Sequence, residues 1–219
     1  MKAMDNVKAV RAKTRPTALS YITGLFTEFT ELHGDRRFGD DRAVVGGLAY
    51  FEGRPVTVIG IDPGSQRTGW GVVREVSGVL RLVDCGVVRT ASAGKEFSAR
   101  LARIYHELAK VLGRCKPDEA AIEQVFTAKN AASALKLGQA RGVAVAACAA
   151  YGLGISDYEP TLVKKSLVGT GRAEKEQVAF MVKRLLNVRE ADWALDTSDA
   201  LGVAVCHLTM RRFAALTAR

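Results

Sequence analysis

The run Val56–Thr57–Val58–Ile59–Gly60–Ile61 stops at Asp62–Pro63–Gly64. It is almost continuously apolar and lacks period-two alternation. That is the pattern of a strand buried on both faces, which requires covering layers on each side of a sheet. Trp70–Val73 and Leu80–Val88 read as two more strands, joined by a turn at Ser77–Gly78. Ser98–Arg114 has helical periodicity through Leu101, Ile104, Leu108 and Val111–Leu112. Pro117–Asp118 precedes a short strand, Glu119–Glu123, and Ala131–Ala150 is an Ala-rich helix. Ile155–Tyr158 is a strand. Thr161–Val168 and Lys175–Leu186 are helices around the Gly169–Thr170–Gly171 loop, and Thr197–Leu208 is the last strong helix. The order β-β-β-α-β-α-β-α-α predicts a mixed α/β sheet flanked by helices.

Upstream of Val56 the pattern differs. The first 15 residues are polar and basic. A helix starts at Thr14–Arg15–Pro16–Thr17 and carries Leu19, Ile22, Leu25, Phe26 and Phe29 at helical spacing to about Leu32–His33–Gly34. After the charged loop G-D-R-R-F-G-D-D-R, two strands, Ala43–Tyr50 and Pro55–Ile61, flank a hairpin turn at Glu52–Gly53–Arg54. The expected organisation is a helix-plus-hairpin appendage over 1–55 and a principal domain over 56–219.

Charge points to a partner. The 219 residues hold 32 Lys and Arg against 23 Asp and Glu, and residues 58–219 alone hold 23 against 16. A basic domain attracts polyanions, nucleic acid first among them, although an inert basic surface has the same composition. No apolar run reaches the roughly 18 residues of a membrane span. The first 16 residues lack the shape of a secretory signal, so the cytoplasm is the expected compartment. Cys85, Cys115, Cys148 and Cys206 lie far apart without a C-x-x-C pair, which favours reduced, buried thiols over disulfides or zinc.

Three elements end in carboxylates. Asp62 and Glu123 each close an apolar strand, and Asp196 and Asp199 share one face at the start of an apolar helix. Convergence would occur at the carboxyl ends of the central strands, where open α/β sheets place their sites. Clustered carboxylates repel unless a cation neutralises them, and hard oxygen ligands favour Mg²⁺ or Mn²⁺. Two such ions about 4 Å apart support in-line attack on a phosphodiester. Each residue also has a plainer reading: a turn residue for Asp62, a strand-end charge for Glu123, helix caps for Asp196 and Asp199.

The motifs themselves resemble a family. I-D-P-G-S-Q-R-T-G-W-G-V-V at 61–73, A-I-E-Q-V-F-T-A-K-N-A-A-S-A-L-K-L-G-Q-A-R-G at 121–142, V-K-K-S-L-V-G-T-G-R-A-E-K-E-Q-V at 163–178 and D-T-S-D-A-L-G-V-A at 196–204 are similar, in order, to the signatures of the RuvC-type crossover (Holliday) junction endodeoxyribonucleases. The resemblance covers about Val56 to the end. It implies a ribonuclease-H-like, mixed five-stranded sheet and a homodimer. It also implies Mg²⁺-dependent paired nicks across a four-way DNA junction in recombination and repair, leaving 5′-phosphate ends. Two ions are implied, with Mn²⁺ as a substitute. Asp62, Glu123, Asp196 and Asp199 would be the metal-binding, catalytic carboxylates. Lys164 and Lys175 would act near the scissile phosphate, with Lys165 beside them on the DNA. Phe126 would stack on junction bases, and Ala131–Ala150 would form the dimer interface. Without the resemblance, Phe126 reads as core and the lysines as a solvated helix face. A branch-migration helicase is the implied functional partner.

Residues 5–19, 26–41 and 53–60 resemble instead the α subunit of the acetyl-CoA carboxylase carboxyltransferase, which makes the chain an apparent fusion meeting at Val58–Ile59–Gly60. In such a fusion Phe26, Phe29 and Leu32 lack their original partners, and a weakly docked appendage is expected. Three other functions compete with junction cleavage: carboxyl transfer, an actin-like ATPase suggested by Asp62–Pro63–Gly64, and junction binding without cleavage. The chain is too short for the duplicated domain that an actin-like ATPase needs.

Overall fold

A central five-stranded sheet organises the computed structural model, which describes residues 17–33, 44–51, 55–94, 96–124, 131–188 and 193–217. The chain divides into two units, 1–54 and 55–219.

In the first unit, α1 (Ala18–Leu25) precedes β1 (Phe26–Glu31), which pairs antiparallel with β2 (Gly47–Phe51). Thr17 caps α1 through a capping box with Ser20. The expected helix to Leu32 therefore stops at Leu25. F-T-E-F-T-E repeats with period three rather than two, but it is rich in strand-forming Phe and Thr, and it pairs as a strand whose register shifts between Thr27 and Thr30. The expected hairpin between Ala43–Tyr50 and Pro55–Ile61 is also corrected. The strand begins at Gly47 and pairs with β1, while residues from Val56 onward join the other sheet. The turn at 52–54 lies outside the described residues. The side chains of this unit whose burial is described are exposed or half-buried, with Leu19, Tyr21, Leu32, Val44 and Leu48 exposed.

In the second unit the strands are β3 (Val56–Asp62), β4 (Arg67–Val76), β5 (Val79–Arg89), β6 (Glu119–Glu123) and β7 (Gly154–Tyr158). Their order is β5-β4-β3-β6-β7. β3, β4 and β5 form an antiparallel meander, and β6 and β7 run parallel to β3. Ser77 and Gly78 both take positive φ, 49° and 79°, making the tight β4–β5 turn whose twist suits a hairpin. This is the mixed five-stranded sheet that the sequence predicts.

Helices cover both faces: α2 (Phe97–Cys115), α3 (Ala131–Ala150), α4 (Pro160–Val168), α5 (Lys175–Leu185) and α6 (Leu195–Thr217). The last starts two residues before the expected Thr197–Leu208 and runs nine residues past its end. Ile59, Ile61, Val72, Ile104, Leu108, Leu112, Ala140, Ala144 and Ala147 pack one core on the α2–α3 face. Val58, Val73, Ala121, Val163, Val178, Val182, Leu201 and Val205 pack the other beneath α4, α5 and α6. Each fully buried aliphatic side chain contributes about 1.5–3 kcal/mol relative to exposure. Cys148 and Cys206 are buried, but Cys85 and Cys115 are only half-buried, which corrects the expectation for those two; all four are free thiols. Burial pushes Cys148 up to about 12 and keeps it an inert thiol. Among the described residues no helix is long and apolar enough to cross a membrane.

A buried hydrogen-bonded chain ties α6 to the sheet. Tyr158 Oη meets His207 Nδ1 at 2.8 Å, His207 Nε2 meets Glu119 Oε2 at 2.6 Å, and Arg211 Nε donates to Glu119 Oε1 at 3.0 Å. Burial acts to raise the Glu119 carboxyl, but the hydrogen bonds from His207 and Arg211 outweigh it and hold the group below its usual range.

The contact that places the site is closer still. A Cβ on Gly60 of β3 would overlap the Ala200 carbonyl oxygen, and one on Gly69 of β4 would overlap the Asp196 carbonyl oxygen. α6 therefore lies directly on the β3–β4 backbone. Gly60→Ala should cost about 2 kcal/mol or more in chemical denaturation, through overpacking against α6 backbone. A variant as stable as the native chain would mean that the helix shifts freely. In hydrogen exchange, β1 and β2 amides should exchange at least ~100-fold faster than β3 amides, since the side chains described around them are exposed or half-buried whereas β3 lies inside the five-stranded sheet. Equal protection would reveal a core in the first unit.

Candidate active site

Register brings the first two carboxylates together. Ile61 pairs with Ile122 in the parallel β3–β6 ladder, so Asp62 and Glu123, each one residue on, end adjacent strands side by side. Both share a face with residues two positions back, Gly60 and Ala121, which pack toward α6. The first turn of α6 then supplies Asp196, and the start of its second turn Asp199. Buried Thr197 and Ser198 lie between them, and Thr197 N donates to Ala194 O at 2.9 Å.

These groups act on one another electrically. Burial first, then the charge of Glu123 and a hydrogen bond to it, then the charge of Asp199, push Asp62 up to about 8. Lys175 opposes the shift. Burial also raises Glu123, as does Asp199, while the hydrogen bond from Asp62 and the charges of Lys175 and Lys164 pull it down. Asp62 therefore keeps its proton well above the usual carboxyl range and shares it with Glu123 through their hydrogen bond, as close like charges do in a poorly solvated place. Lys175 Nζ, at the start of α5, donates to Asp199 Oδ2 at 2.8 Å. That hydrogen bond, with the charges of Asp199, Asp62 and Asp196, raises the ammonium above its usual value. On the other flank, Arg67 Nη1 stands 3.8 Å from Asp196 Oδ2.

Asp62, Glu123, Asp199 and Lys175 are thus brought together, with Asp196 and Lys164 within electrostatic reach. Lys165 is exposed and makes no ion pair among the described residues. Phe126 lies outside the described residues. Arg67 was not singled out by sequence. The available signal was its place five residues after Asp62, across a Pro–Gly turn that reverses the chain toward the same sheet end.

The donor set suits a divalent cation. All four acidic side chains offer hard oxygen, and the shared proton marks an excess of negative charge that a cation would relieve. Among the described residues no three acidic, His or Cys side chains are already gathered in metal-holding geometry; the two helix carboxylates face Lys175 and Arg67 instead.

The chain is similar to known proteins over most of its length. The family model for crossover junction endodeoxyribonuclease RuvC matches residues 58–207. A curated RuvC of Oleidesulfovibrio alaskensis is 66% identical over 163 residues, 74% of this chain and 96% of that protein. One from Nitratidesulfovibrio vulgaris is 63% identical over 161 residues, 74% of this chain and 95% of that protein. Among solved structures, T. thermophilus RuvC in complex with Holliday junction substrate matches with a TM-score of 0.68 and 35% identity, over 73% of this chain and 96% of that one. The yeast mitochondrial Holliday junction resolvase shares the fold, with a TM-score of 0.54 at 16% identity, over 73% of this chain and 80% of that one. An acetyl co-enzyme A carboxylase carboxyltransferase-like family model matches residues 1–69.

The proton held by Asp62 has a measurable effect. The free carboxyl titrates near 3.8 and the folded one near 8, so between those values the folded chain binds more protons than the unfolded chain. Metal-free stability should therefore fall as pH rises through that window. In chelator at pH 8, Asp62→Asn should be more stable than native by on the order of 1–3 kcal/mol, with the difference shrinking toward pH 4. A variant no more stable at pH 8 would contradict the buried-charge account.

Proposed function

Because this chain belongs to the crossover junction endodeoxyribonuclease RuvC family, we propose that it cuts four-way DNA junctions, by paired symmetric nicks that depend on Mg²⁺, in recombination and repair. The observation that carries the reading is the mutual electrostatic influence of Asp62, Glu123 and Asp199, which come from three elements, with Lys175 hydrogen-bonded to Asp199. Asp62, Glu123, Asp196 and Asp199 would hold the cation or cations. Bound Mg²⁺, or Mn²⁺ in its place, would neutralise the carboxylates and supply an activated water for phosphodiester hydrolysis. Lys175 offers a point charge to the phosphate undergoing attack, and its contact with Asp199 keeps it at the site until substrate arrives. Lys164 is close enough to lower Glu123 and so adds positive potential on the same side. Lys165 and Phe126 are proposed DNA contacts, the first with backbone phosphate and the second by stacking on junction bases.

Two strands must be cut, so we assign the active form to a homodimer, with a branch-migration helicase as functional partner and the cytoplasm as compartment. Residues 56–219 are proposed as the nuclease domain and 1–55 as an appendage. The carboxyltransferase-like match over residues 1–69 supports a second reading for that segment alone, as a fragment of an acetyl-CoA carboxylase subunit. Carboxylation of acetyl-CoA with a partner subunit tests it; none is expected.

The deciding experiment is cleavage of a synthetic four-way junction in Mg²⁺, beside linear duplex, with native chain and Asp62→Asn. Symmetric nicks in the junction alone, reduced at least ~1000-fold in the variant, are expected. Binding without cleavage by both proteins would make the chain a junction-binding fusion, and absence of both would refute the nuclease reading.

A further inference from the structure

The antiparallel β4–β5 ladder sets Arg67 directly opposite Arg89. Like charges placed opposite one another in a sheet repel, so such a pair calls for an anion. The two arginines sit where β4 begins and β5 ends, at the same end of the sheet as Asp62, which pairs with Gly69 two residues along from Arg67. The Arg67 side chain is 64% exposed, and its one ion-pair partner among the described residues is Asp196, at 3.8 Å. Arg89 is exposed and makes no ion pair among the described residues.

The backbone beneath the pair is held firmly. Thr90 is fully buried, and its Oγ1 donates toward the Ser65 and Gln66 carbonyls at 3.0 and 3.2 Å. Thr90 N donates to the same Gln66 oxygen at 3.1 Å. Thr68 Oγ1 closes the turn onto Gly64 O at 2.8 Å. The segment carrying Arg67 is thereby stitched to the strand carrying Arg89, and neither guanidinium needs a loop to order before it binds.

We propose that Arg67 and Arg89 form a two-pronged clamp for a DNA backbone phosphate flanking the cleaved bond. Guanidinium groups match phosphate oxygens in planar, forked geometry, and a phosphate here would take the place that Asp196 holds beside Arg67. The clamp rests on the junction-nuclease reading and extends it beyond the lysines, with Arg67 at Asp196 where Lys175 is at Asp199.

An internal control exists. Arg74 and Arg81 are also paired across β4 and β5, but toward the opposite end of the ladder, beside the Ser77–Gly78 turn. Charge on an edge strand serves against unwanted strand pairing, and that role suits Arg81 and Arg89 of β5 alike but not Arg67 and Arg74 of the internal β4. The test is the salt dependence of binding to a synthetic four-way junction, measured in chelator with the full chain. Each lost phosphate contact shallows the log–log slope by about 0.9 on duplex arms. Arg67→Ala with Arg89→Ala, which removes that one phosphate contact, should shallow it by about 0.9 and weaken binding at least ~10-fold, with an unchanged circular dichroism spectrum. In Mg²⁺ the same variant should raise KM more than it lowers kcat. Arg74→Ala with Arg81→Ala should leave the slope unchanged. If the alanine pair does not fold, Arg67→Gln with Arg89→Gln keeps the bulk and gives the same readout. An unchanged slope in the first pair, or equal losses in both pairs, would overturn the clamp alone. A native chain that binds no junction would overturn the nuclease reading and the clamp together.

Discussion

Backbone-to-backbone contact between α6 and the β3–β4 ladder is the constraint on which the rest depends. Gly60 and Gly69 leave no side chain between strand and helix, so the helix start comes down onto the strand ends. A larger residue at either position would lift Asp196 and Asp199 away from Asp62 and Glu123. The aliphatic packing beneath α6, with Leu201, Val203 and Val205, supplies the adhesive energy that makes so close an approach stable.

The same closeness creates an electrostatic problem. Asp62 and Glu123 are crowded enough to share a proton, and Asp199 adds a third negative charge. Lys175 and Arg67 relieve part of it from two sides. Both cations are more than half exposed along their side chains, so they remain free to turn from carboxylate to phosphate. Part of the site's charge balance thus lies in movable groups, which suits a surface that must receive a polyanion and then release it.

Much of this was legible in the sequence because strong local patterns coincided with tertiary need. β6 and α3 fall where apolar runs and Ala-rich periodicity place them. Asp62 was visible as a charge ending a doubly buried strand. Errors came where local pattern was ambiguous or the determinant was non-local. Phe26 and Phe29, three apart, fit a helical spacing, but strand propensity and pairing with β2 prevailed, at the cost of an irregular register between Thr27 and Thr30. Pro55–Ile61 and the strand before it looked like a hairpin because they are neighbours in sequence, yet β3 finds better-matched partners in β4 and β6. The Arg67–Arg89 juxtaposition depends on register across a ladder interrupted by the irregularity between Val72 and Val73, which no inspection of spacing reveals.

The direction of β3 carries one more consequence. The chain enters this strand at Val56 and reaches the carboxylates only at Asp62, about 20 Å away at roughly 3.3 Å per residue. Peptide added before Val56 is therefore spliced onto the end of the central strand remote from the chemistry, and none of the loops that shape the acidic cluster is interrupted. For protein engineering, the amino end of β3 is a natural grafting point: a tether, a tag or a foreign domain can be joined there without inserting a residue among the groups that handle the phosphodiester.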